Sequence, residues 1–92
     1  MKQIQIDVLS EAVNCPIVQM PGRKFPGIVL QGDSLRILLD SAEEVQQLCS
    51  SVRSADLSAA VASLREKLAG YVASYEEAML EAGRDLPYQK RT

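Results

Sequence analysis

Ninety-two residues with a net charge of −2, ten basic against twelve acidic, describe a single small domain with no overall field to attract nucleic acid. The chain contains no histidine, and its single Phe and three Tyr leave the core to Ala, Leu, Val and Ile. That composition suits helix packing, and it leaves Ser34 without an imidazole to activate it as a nucleophile.

The amino-terminal segment alternates Ile4, Ile6 and Val8 with Gln3, Gln5 and Asp7, the period of a half-buried strand over residues 2–9. Ser10 to Asn14 reads as a turn. A second strand follows Pro16, from Ile17 to Met20, and Pro21-Gly22-Arg23-Lys24-Phe25-Pro26-Gly27 forms a compact loop with two Pro-Gly steps. Ile28 to Gln31 is a third strand, apolar enough to be covered on both faces.

Gly32-Asp33-Ser34 opens a first helix expected over about 34–53, with Asp33 or Ser34 positioned to accept from the free N–H groups of its first turn. Leu35, Leu38, Ala42, Val45, Cys49 and Val52 form its apolar stripe. The five-residue step to Leu57 breaks phase, so the spacing predicts a turn at Ser54-Ala55-Asp56, with Asp56 as N-cap of a second helix over about 57–82. Gly83 and Pro87 end that helix, and residues 84–92 read as a flexible tail. The second stripe, Leu57, Val61, Leu64, Leu68, Tyr71 and Tyr75, is the candidate seam for another helix, in the same chain or in a second subunit. The expected architecture is therefore α+β, a three-stranded antiparallel sheet followed by two long helices (β-β-β-α-α), paired as a helical hairpin or between subunits of a homo-oligomer.

Cys15 and Cys49 lack metal-ligand spacing and read as structural thiols. Neither a metal site nor a cofactor is signalled, since GxxxxGK[ST] and GxGxxG patterns are missing. The chain begins without a signal-peptide pattern and has no run of membrane-spanning length, so a cytoplasmic location is expected. Glu43-Glu44, Glu76-Glu77 and Glu81 read as solvated faces.

Candidate binding residues cluster at Arg23, Lys24 and Phe25, with Gln31, Asp33 and Ser34 at the strand-to-helix junction. The helix N-terminus favours an anion, with Arg23 and Lys24 as added cations, whereas Asp33 places negative charge at the same spot. The residues thus leave open a cap serving only the helix, and a loop with Phe25 tucked inward. Two functions remain: a non-enzymatic protein that binds a protein partner, or an oligomer that sequesters a small anionic, nucleotide-like ligand.

Gly32-Asp33-Ser34-Leu35 resembles the nucleophile block of GDSL esterases, a role that the missing histidine argues against. Residues 21–45, PGRKFPGIVLQGDSLRILLDSAEEV, resemble an uncharacterised family of small bacterial proteins carrying a PGRxFPGxxxQGDSL block. They are more distantly similar to HicB-like antitoxins, through Pro26, Gly27, Gln31, Gly32, Asp33, Ser34, Leu35 and Ala42. That resemblance implies a small sheet with a helix, no catalytic acids, and function by binding a toxin protein, hence an antitoxin- or immunity-like role.

Overall fold

The structure, a computed structural model, describes residues 1–11 and 15–90. It is α+β in the order β1 (Asp7–Ser10), β2 (Ile17–Gln19), β3 (Gly27–Ile28), α1 (Gly32–Leu48) and α2 (Ala55–Glu81). The chain forms two compact units, Met1–Gln31 and Gly32–Thr92.

In the first unit the strands form an antiparallel sheet in the order β1-β2-β3. All three are shorter than their apolar patterns suggest, because a strand extends only as far as its partner does. Central β2 is bracketed by Pro16, which has no N–H to donate, and by the turn at Pro21-Gly22. β1 therefore pairs only from Asp7, opposite Gln19, to Ser10, opposite Ile17, with an irregularity at Leu9. Residues 1–6 lie outside the sheet, and Ile4, Ile6 and Val8 are exposed rather than half-buried. β3 pairs Gly27 with Val18 and Ile28 with Ile17, and the Val29 N–H adds one bond to the Pro16 carbonyl. Ile28, Val29 and Leu30 are exposed, contrary to the covering expected on both faces, and Val18 is the buried residue of β2. The turn expected at Ser10–Asn14 falls partly outside the described residues.

The second unit is a helical hairpin, α1 packed on α2 within one chain. α1 begins at Gly32, where the Asp33 carboxylate accepts the Ser34 N–H at 2.9 Å. It stops at Leu48, five residues before the expected end, where a serine-rich turn diverts the backbone. The Ser50 hydroxyl and N–H both donate to the Gln47 carbonyl, at 2.7 and 3.1 Å. Ser54 rather than Asp56 caps α2: its backbone is extended (φ −141°, ψ 115°) and its hydroxyl accepts the Leu57 N–H at 3.2 Å, with Asp56 in the first turn. At the other end Gly83 takes φ +69°. There the Arg84 N–H reaches the Met79 carbonyl and the Gly83 N–H the Leu80 carbonyl, the paired bonds of a Schellman motif.

Leu39 and Ala42 of α1 and Val72 of α2 are the buried hydrophobic residues of the hairpin. Gly32 is also buried, and a Cβ added to it would collide with the phenol end of the Tyr75 side chain. Contact between the start of α1 and the late part of α2 fixes the helices as antiparallel. Of the predicted seam, Leu57, Val61, Leu68 and Tyr75 are half-buried, whereas Leu64 and Tyr71 are exposed.

Replacing Gly32 by Ala is expected to destabilise the protein by about 1–3 kcal/mol, the range for overpacking, despite alanine's better helix propensity. In a Tyr75→Ala background the same replacement should cost almost nothing, and a double-mutant cycle in urea measures the coupling.

Candidate functional site

Loop 20–27 is built from the backbone outward. Pro21 fixes φ at the first central position of a turn and Gly22 takes φ +79° at the second, while the Arg23 N–H bonds the Met20 carbonyl at 3.2 Å. This is the type II pattern, whose second central position suits glycine. The Gln19 side chain then ties the loop to the end of β2, its amide nitrogen donating to the Arg23 carbonyl at 2.6 Å and the Met20 carbonyl at 3.2 Å.

On this frame Arg23, Lys24 and Phe25 project from the sheet unit, and with Met20 and Gly27 they line an open depression of about 510 Å³. Phe25 is 73 % exposed rather than tucked inward. The Lys24 ammonium lies 5.3 Å from the centre of its ring, within cation–π range. Gln31 is exposed at the end of this unit and does not line the depression. Asp33, exposed, and Ser34, half-buried, belong to the helical unit. Because Asp33 spends a carboxylate oxygen on the Ser34 N–H, negative charge already occupies that part of the helix N-terminus.

The helical unit holds a second polar cluster. Arg36, whose side chain is 14 % exposed, bonds Asp40 at 2.8 Å and Glu43 at 3.2 Å. It shares a cleft of about 470 Å³ with Asp33, Ile37, Asp40 and the chain end from Pro87 to Lys90. Tyr88, in the stretch expected to be flexible, donates its hydroxyl to the Glu76 carboxylate at 2.9 Å, so Glu76 is half-buried and engaged rather than solvated. Residues 91 and 92 of that stretch lie outside the described residues. Burial first, and then the Glu76 carboxylate, push the Tyr88 phenol up from 10.0 to about 12.

The sequence reading missed Gln19, Arg36 and Tyr88. Arg36 left a signal in the acids four and seven residues ahead of it; an amide just before a Pro-Gly turn is a weaker sign. Cys15 and Cys49 are free, half-buried thiols. Among the described residues, no group of three or more His, Cys, Asp or Glu side chains could hold a metal ion, and no helix is long and apolar enough to cross a membrane.

A family model, described as a family of unknown function (DUF6959), matches residues 1–88. The chain belongs to that family. The match runs through the DUF6959 loop, both helices and Tyr88, so the loop and the tail contact described above lie within the family's span. No curated protein and no solved structure matches the chain.

Two outcomes are expected for these DUF6959 residues. Replacing Gln19 by Ala should leave the fold intact and speed hydrogen exchange at the Arg23 amide, measured by NMR. In an alkaline titration followed by phenolate absorbance, Tyr88 should ionise near pH 12, and Glu76→Gln should lower that value while leaving it above 10, because burial persists. The neutral phenol is favoured in the fold, so its contribution to stability is complete below pH 10 and is lost as pH rises from 10 towards 12.

Proposed function

We propose that this protein is a non-enzymatic interaction module of the antitoxin or immunity type, which neutralises a protein partner by seating the Arg23-Lys24-Phe25 loop on an acidic patch of the partner's surface. The observation that carries this reading is an exposed aromatic ring with an ammonium held against it, on a loop tied down by a glycine turn and the Gln19 amide. Aromatic and arginine side chains dominate binding energy at protein interfaces, and a loop ordered before binding loses little entropy on docking. Covering Phe25 alone contributes about 2–3 kcal/mol. Two adjacent cations direct the loop towards carboxylates, while the rest of the chain is net acidic. The resemblance of residues 26–42 to HicB-like antitoxins supports the same reading, as does a serine at position 34 with no histidine anywhere in the chain.

The test uses the full chain, expressed from its own locus together with the adjacent open reading frame. A partner retained at low salt should lose at least tenfold in affinity with Arg23→Glu/Lys24→Glu, and to a similar degree with Phe25→Ala. Inorganic phosphate and a panel of nucleotides, each at millimolar concentration, should leave the melting temperature unchanged, since a ligand that binds only the native state raises it. A rise abolished by the double charge reversal would replace this reading with sequestration of a small anion.

A further inference from the structure

The depression lined by Met20, Arg23, Lys24, Phe25 and Gly27 differs from the cleft at Arg36 in what its charges do. Arg36 is neutralised by Asp40 and Glu43, and Asp33 and Asp40 line its cleft. Among the described residues, no acid lines the depression, Arg23 makes no ion pair, and Lys24 engages the Phe25 ring alone. The apolar part is equally uncovered. Phe25 is 73 % exposed and Met20 42 %, while Gly27 contributes no side chain and a Cβ added there would meet nothing within 4 Å.

Building on the protein-binding reading above, we propose that this depression seats an apolar side chain carried on an acidic segment of the partner protein. Each half of the site demands its own half of the guest. A carboxylate alone would leave Met20 and Phe25 in water, and an apolar side chain alone would strip water from the two cations without pairing them. The Lys24 ammonium lies 5.3 Å from the ring centre, so the acid must stand close to the apolar residue. Two positions along an extended segment is ~6.6 Å, on the same side of the chain, which meets that requirement. At about 510 Å³ the depression has the volume of a ligand pocket, ~300–1,000 Å³, but it is open, and a free small molecule would keep much of its surface in water. A side chain presented by a protein does not, because the rest of the partner covers the rim. Met20 adapts its unbranched thioether to the shape of the guest.

NMR titration of the full chain with a capped pentapeptide, Glu-Asp-Leu-Asp-Glu, tests this. The Met20, Arg23, Phe25 and Gly27 amides should shift together and saturate at millimolar peptide. Replacing the leucine by serine, or the four acids by their amides, should each weaken binding at least tenfold. Gly27→Leu, whose side chain enters open space, should fill the depression and weaken binding to the same degree. Circular dichroism checks the fold, and if Gly27→Leu is unfolded, Met20→Ala, at an exposed position, should still weaken binding severalfold. Equal affinity for the leucine and serine peptides, both lost with Arg23→Glu/Lys24→Glu, overturns the seat for an apolar side chain and leaves the charge-directed reading standing. Shifts confined to other amides, or no saturation at millimolar peptide, overturn the seat as well. The response of the partner from the adjacent reading frame to Arg23→Glu/Lys24→Glu decides the broader reading separately.

Discussion

The helical unit depends on one close approach, the Tyr75 ring lying where a side chain at position 32 would otherwise be. Glycine is the residue that permits it, and the contact does more than fill space. By joining the first residue of α1 to the late part of α2 it fixes the antiparallel register, and the register decides which apolar residues face inward. α2, at 27 residues, is longer than α1 at 17, so part of it continues past that contact. The chain end returns to that overhang, where Tyr88 meets Glu76.

The two units solve the same problem in different ways. Neither has a large core, and each orders part of its surface through polar contacts from side chain to backbone or from side chain to side chain. In the sheet unit the Gln19 amide gathers two carbonyls of the loop, so Arg23 and Phe25 are presented on a frame that short strands alone would leave loose. In the helical unit Arg36 draws Asp40 and Glu43 together along α1. Its charge is neutralised within its own helix, whereas Lys24 sits against a ring and keeps its charge available.

Element order and type were legible in the sequence because they follow from local periodicity: alternation before Asp7, an apolar run after Gly27, and two stripes out of phase at Val52 and Leu57. Element ends were less legible, because they depend on competition between near neighbours. Ser54 and Asp56 are both good caps, and the serine wins because its extended backbone brings its hydroxyl to the Leu57 N–H. Strand lengths depend on the partner strand, which no local pattern encodes. For the site, residue types identified Arg23-Lys24-Phe25, but Phe25's exposure and the Gln19 clamp arise from turn geometry. The stripe of α2 showed its apolar residues without showing which of them α1 would cover and which, Leu64 and Tyr71, would stay exposed.

Pro16 and Pro21 confine β2 to three residues, and through it they limit the whole sheet. Short outer strands, one of them interrupted at Leu9, offer few consecutive unpaired N–H and C=O groups to another molecule. Growth by edge-to-edge addition needs a long, regular edge, and the alternating segment before Asp7 would have supplied one if β2 had continued to meet it. The two prolines that bound β2 therefore also shorten the edge that the sheet offers to strand addition.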